Sequence, residues 1–147
     1  MKFFPRKFFK KTDDKKIINC IKEAEKQTSG EIRVHFQKKL KVDILEEAVN
    51  TFYRLKMDET KDKNGVLFFF VMKKKKFAII GDKGINDVVP DDFWENIKIA
   101  LTEDFSNGHK TSGICNAIKM AGDKLKEFFP YDSVNDVNEL PDEISYS

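Results

Sequence analysis

The residues best equipped for chemistry in this chain are oxygen donors on short polar stretches. These are Ser29-Gly30-Glu31, residues 58–65 (DETKDKNG), residues 81–84 (GDKG), and the Pro90-Asp91-Asp92 run that follows. They carry Glu31, Asp58, Glu59, Thr60, Asp62, Asn64, Asp82, Asp91 and Asp92. Carboxylate and amide oxygens on loops suit a hard cation such as Ca²⁺ or Mg²⁺. The same residues also make ordinary turns and caps, in which Asp and Asn accept from nearby backbone amides. Asp91 or Asp92 is expected to cap a helix whatever else it does. The loop lacks the spaced carboxylates and closing glutamate of an EF-hand.

Other chemistries find less material. GDKGI is not a dinucleotide fingerprint, and no phosphate-binding loop of the GxxxxGK[ST] type occurs. His35 falls mid-strand on a polar face, where a surface or packing role is expected, and His109 falls in a helix-helix turn. No serine or cysteine has the setting of an activated nucleophile. A metal-dependent phosphatase would need positive charge near its cation, which Lys61, Lys63 and Lys83 supply, but no nucleophile accompanies them. Cys20 and Cys115 are far apart in sequence and are expected to be buried free thiols. Lys38, Lys39, Lys41 and the run Lys73–Lys76 form a second, basic group. It reads either as a docking patch for an anion or as solvated turns that discourage edge-to-edge pairing.

The elements that must position these groups follow from periodicity. Thr12-Asp13-Asp14 opens a helix with Ile17, Ile18, Ile21 and Ala24 on one stripe, stopped at Gly30. Residues 31–37 alternate Ile32, Val34 and Phe36 against Arg33, His35 and Gln37, a half-exposed strand. Asp43 with Glu46 starts a helix carrying Leu45, Ala48, Val49, Phe52 and Leu55. Residues 66–72 and 77–80 are apolar without alternation, two strands buried on both faces and joined by the lysine tip. A helix from Asp91-Asp92 turns Phe93, Ile97, Leu101 and Phe105 inward, and another over residues 111–129 carries Ile114, Ala117, Ile118, Ala121, Leu125 and Phe128 to the stop at Pro130. The first strand, its helix and residues 66–72 form a parallel β-α-β unit, and the hairpin brings residues 77–80 back antiparallel. The three acidic stretches therefore meet at one sheet edge and the lysines at the other. Helices divided two and two over a small mixed sheet make an α/β three-layer αβα sandwich.

The chain has 147 residues, enough for one domain over residues 1–147, with a core at about 13–129 and a tail at 130–147 that is either a strap or a loose end. Its 27 basic and 25 acidic residues give a net charge of +2, with no global pull toward nucleic acid or anionic lipid. Arginine is scarce, which argues against specific nucleic-acid readout. The start, MKFFPRKFFKK, lacks the apolar core of a signal peptide, and no run is long enough to span a membrane. A cytoplasmic monomer is expected.

Four segments, SGEIRVHF, KNGVLFFFV, KFAIIGDKGI and FSNGHKTSGI, resemble in that order the landmarks of the TPM domain family. The resemblance covers about residues 13–129, and the tail NELPDEIS looks like the ending of small bacterial members. It implies a Rossmann-like αβα sandwich with a divalent cation, Ca²⁺, at a loop cleft, in an accessory or interaction module with a protein partner. Some relatives are assigned weak acid phosphatase activity. Asp82 matches the polar position within the Gly-x-Gly turn, Asp91 or Asp92 the acidic residue after it, and residues 58–63 the variable acidic loop. With Glu31 and Asn64 from the same sheet edge, the candidate metal set is Glu31, Asp58, Asp62, Asn64, Asp82, Asp91 and Asp92. Many relatives carry a signal peptide and a membrane helix that this sequence lacks, so their membrane-complex roles do not carry over.

Overall fold

The computed structural model describes residues 11–134 and 138–147. The segment MKFFPRKFFK, the Lys11 and Thr12 side chains and residues 135–137 lie outside that description. Four strands form one mixed sheet in the order β3-β2-β1-β4. These are β1 (Glu31–Phe36), β2 (Gly65–Val71), β3 (Lys76–Gly81) and β4 (Ser145–Tyr146). β1 runs parallel to β2 and to β4, and β3 is antiparallel to β2. The helices are α1 (Lys11–Glu25), α2 (Ile44–Arg54), a short α3 (Lys83–Asn86), α4 (Glu95–Ser106) and α5 (Lys110–Leu125).

β2 shows why a three-layer arrangement arises. Its residues alternate between two cores because successive strand side chains point to opposite faces. Val66, Phe68 and Phe70 join Ile32, Val34 and Phe36 beneath α1, α4 and α5. Leu67, Phe69 and Val71 meet Ala48, Phe52, Met57 and Leu140 on the other face. All seven residues of β2 are buried. The expected two-plus-two division of helices is therefore three plus one. α2 alone covers the second face, and Leu140 from the tail closes what it leaves open. Gly122 permits the tight α1–α5 contact, since a Cβ there would stand 2.9 Å from the Ala24 Cβ.

Several boundaries and exposures differ from expectation. β1 is buried along both faces rather than half exposed, because α2 and the returning tail cover its polar side. β3 is an edge strand and only half buried, so it lacks the double burial its apolar sequence suggested. α4 begins at Glu95 with Trp94 in the capping position, four residues past Asp91. Pro90 instead starts a turn, with the Phe93 amide donating to its carbonyl, so neither Asp91 nor Asp92 caps the helix. α5 ends at Leu125 rather than 129. Leu45 sits on the outer side of α2, 57% exposed, whereas Glu47 and Thr51 take buried positions. Asp43 is the N-cap of α2, accepting from the Leu45 and Glu46 amides. Cys20 and Cys115 are half buried on packed faces of α1 and α5, not fully buried.

Candidate functional site

The parallel register sets Glu31 opposite Gly65, and the antiparallel register sets Val66 opposite Gly81. The Glu31 amide donates to the Asn64 carbonyl at 3.1 Å, and the Asp82 amide to the Gly65 carbonyl at 2.9 Å. The starts of β1 and β2 and the end of β3 thus share one sheet edge, as the topology requires. The loop entering β2 turns through a 3₁₀ segment, Met57–Glu59, between residues with left-handed backbone, Lys56 and Lys63. Buried Thr60 steadies it, its hydroxyl accepting from the Asn64 amide at 3.2 Å.

Among the described residues, two oxygens at this edge are buried without a hydrogen-bond partner, Asn64 Oδ1 and Asp82 Oδ2. The Asn64 side-chain amide donates to the Ser29 carbonyl at 3.1 Å. Asp82 caps α3, and its Oδ1 accepts from the Lys83 amide at 2.7 Å. The loop closes onto this cap. A Cβ on Gly84 would lie 2.2 Å from the Asp62 carbonyl oxygen and 2.5 Å from that of Lys63, so only glycine lets these backbones meet. Orphaned buried oxygens are uncommon and each calls for a physical partner. One carboxylate, one amide oxygen and loop carbonyls fit in kind what a hard cation takes. Among the described residues, however, no three His, Cys, Asp or Glu side chains stand together as a metal cluster.

The other implied ligands carry no such orphaned buried oxygen. Asp58 is half buried in the 3₁₀ turn, and its carbonyl accepts from the Lys63 ammonium. The Asp62 side chain is exposed, as are those of Asp91 and Asp92 beyond α3. Glu31 is buried and committed to the tail. Its Oε1 accepts from the Glu139 amide at 3.1 Å and from the Leu140 amide at 2.9 Å. Burial pushes its carboxyl up to about 7, against the pull of those two amides.

Glu31 belongs instead to an acidic clamp that the sequence did not disclose. Glu25 Oε2 accepts from the Ile32 amide at 2.8 Å. Burial, and then a hydrogen bond with Asp142, push the Glu25 carboxyl up to about 10. A cavity of about 210 Å³ lies among Glu25, Thr28, Ser29, Glu31, Asn138 and Asp142. The signal in the sequence was a glutamate at the last turn of α1 and an acidic tail. Nothing local says that the tail returns to α1.

At the far end of β1, His35 is buried, stacked on Phe69 with ring centroids 5.3 Å apart. Its ring nitrogens meet the Ser145 hydroxyl at 2.7 Å and the Ser147 hydroxyl at 2.8 Å. Burial lowers its pKa to about 4, so it is neutral at ordinary pH and serves to hold β4. Among the described residues, no helix is long and apolar enough to cross a membrane.

These features define an α/β domain with a closed loop edge and a tail strapped along the sheet. A family model described as the TPM domain matches residues 4–124, and the chain belongs to that family. It is similar to the BA42 protein of the psychrophilic bacterium Bizionia argentinensis, solved by NMR. The two are 44% identical with a TM-score of 0.90, over 95% of this chain and 96% of that one. The N-terminal domain of a P. gingivalis protein shares the fold at 13% identity, with a TM-score of 0.67 over 82% of this chain and 78% of that one. No curated protein matches the chain.

Proposed function

We propose that this TPM domain is a cation-responsive accessory module, binding Ca²⁺, or Mg²⁺ in its place, where the loop before β2 meets the cap of α3. The observation that carries this reading is the pair of buried, unpartnered oxygens, Asn64 Oδ1 and Asp82 Oδ2, on neighbouring strand ends. Asp82, Asn64 and the Asp62 and Lys63 carbonyls are the donors we assign. Asp58 stands at the margin of that loop. Glu31, held by tail amides, and Asp91 and Asp92, exposed beyond α3, are left out of the set. A bound cation supplies positive charge that these oxygens otherwise lack. The protein's part is positional: Thr60 holds the loop, Asp82 spends one oxygen on the helix cap, and Gly84 admits the loop carbonyls. Joining loop to helix would give a protein partner one defined surface in place of two independent segments. In this reading the domain works as a cytoplasmic monomer.

The test is a Ca²⁺ titration followed by backbone NMR, on wild type and on Asp82→Asn. Amides of residues 58–65 and 81–86 should shift together along one saturating curve, and Asp82→Asn should abolish that response. Shifts scattered over exposed carboxylates, or an unchanged curve in Asp82→Asn, would refute the site.

A further inference from the structure

The chain has two cysteines, remote in sequence, and the fold brings them together. α1 and α5 meet tightly at Gly122, where a Cβ would stand 2.9 Å from the Ala24 Cβ. Cys20 lies one turn before Ala24, on the same stripe of α1. Cys115 lies two turns before Gly122, on the same stripe of α5. Both cysteines therefore face the seam between the helices. The Cys115 thiol donates to the carbonyl of Lys16, one turn before Cys20, at 3.6 Å. It is also in hydrogen-bonding contact with the Cys20 thiol.

Neither cysteine is sealed in the core. Both are half buried, and together they border two clefts. One, of about 710 Å³, also holds Asp13, Lys16, His109 and Lys110. The other, of about 480 Å³, also holds Glu23 and Lys119. In the wider cleft two lysines stand against one aspartate, and such positive charge favours a thiolate. Burial, and then the hydrogen bond with Cys20, push the Cys115 thiol up to about 12, so this sulfur keeps its proton. Among the described residues no third His, Cys, Asp or Glu completes a metal cluster with the pair, which therefore lacks the ligand shell of structural zinc.

We propose that Cys20 and Cys115 form a peroxide-sensitive dithiol, which a hydroperoxide closes into a disulfide between α1 and α5. The Cys20 sulfur, its proton released to solvent, attacks one peroxide oxygen. The O–O bond breaks, the other oxygen leaves as an alcohol or as water, and Cys20 becomes a sulfenic acid. The Cys115 sulfur then attacks the Cys20 sulfur, and its proton leaves with the displaced hydroxyl as a second molecule of water. The two thiols give up two electrons and the peroxide takes two. Cys115, held as a thiol, is the resolving sulfur, and attack on the peroxide falls to Cys20. In a reducing compartment such a bond is transient and records oxidant. While it lasts it fixes α1, the helix that meets the tail through Asp14 and Tyr146.

The experiment treats the reduced, native full chain with hydrogen peroxide, blocks remaining thiols with N-ethylmaleimide and weighs the protein. Wild type should lose about 2 Da, the two hydrogens of a disulfide, and take up no maleimide. It should stay monomeric on a non-reducing gel and regain both thiols in dithiothreitol. Peptide mapping should join the peptides that hold Cys20 and Cys115. With dimedone present during oxidation, Cys115→Ser should collect an adduct on Cys20, where wild type collects little because its sulfenic acid is resolved. Cys20→Ser should leave Cys115 unoxidised. Near-ultraviolet circular dichroism reports whether each variant is folded, and the wild-type result needs no variant. The proposal is overturned if native wild type keeps two maleimide-reactive thiols. It is equally overturned if the thiols are lost only to sulfinic acid or to intermolecular dimers, or if folded Cys115→Ser gives no dimedone adduct on Cys20.

Discussion

Glu31→Gln isolates the acidic clamp. In the folded protein the Glu31 carboxyl titrates near 7, against an ordinary value of 4.5. The folded state therefore holds the proton more tightly than the unfolded chain. Stability from this group is fully present below about pH 4.5 and is lost as pH rises through 7. Integrating between pH 5 and pH 8, the loss is about 2.5 kcal/mol. Glutamine keeps an acceptor oxygen for the Glu139 and Leu140 amides but cannot ionise. The assay is urea unfolding of wild type and Glu31→Gln at both pH values, with divalent ions chelated. Glu25, raised to about 10, loses stability across that whole window in both proteins, and because the Glu31 charge is the smallest cause of its shift most of that loss cancels in the comparison. At pH 5 the two proteins should be similar, and at pH 8 the variant should be the more stable by about 2 kcal/mol. For a slope of about 1.5 kcal/mol per molar urea, the midpoints then separate by more than about 1 M. Parallel loss of stability in both proteins between pH 5 and 8 would refute the argument that Glu31 is strained by burial.

Two further outcomes follow from the geometry. Gly84→Ala drives a methyl into the Asp62 and Lys63 carbonyls and should destabilise the domain by roughly 1–3 kcal/mol, with the largest chemical-shift changes in residues 58–65 and 81–86. Burial, and then the Cys20 hydrogen bond, push the Cys115 thiol up to about 12. Its alkylation by iodoacetamide at pH 8 should therefore run far slower than that of a free thiol of pKa about 8.5, as mass spectrometry would record.

Much of the fold was legible because it rests on local pattern. The unbroken apolar run of β2 announced a central strand, Asp43 announced a helix start, and the β-α-β connection fixed which loops share an edge. What escaped reading depends on contacts between remote segments. For His35 the alternation leaves a surface or a packing role open, and the choice lies with Phe69, which stacks on it, and with Ser145 and Ser147, which bond to it. Glu31 reads as a cation ligand, yet its carboxylate is taken by the Glu139 and Leu140 amides of the tail, which nothing local in the sequence announces. The two-plus-two division failed for the same reason: the second face needs only α2 because Leu140 finishes its cover. For the candidate site, the sequence supplied the edge but not which oxygens remain unsatisfied. That depends on the partners each one finds, such as the Lys83 amide for Asp82 and the Ser29 carbonyl for Asn64.

The tail has a consequence for the free edge of the sheet. A sheet centred on GVLFFFV has the sequence of a self-associating segment. β1, beside it, would present an open row of backbone groups to any neighbouring molecule. That row is met at one end by a side chain, Glu25 on the Ile32 amide, and at the other by backbone, with Ser147 bonded to Lys38 and Phe36. β4 is only two residues long, too short to offer a new template of its own. On the opposite margin, β3 is flanked by its lysine tip. The sheet thus ends on one side in a stub and on the other in charge, two features that disfavour edge-to-edge pairing.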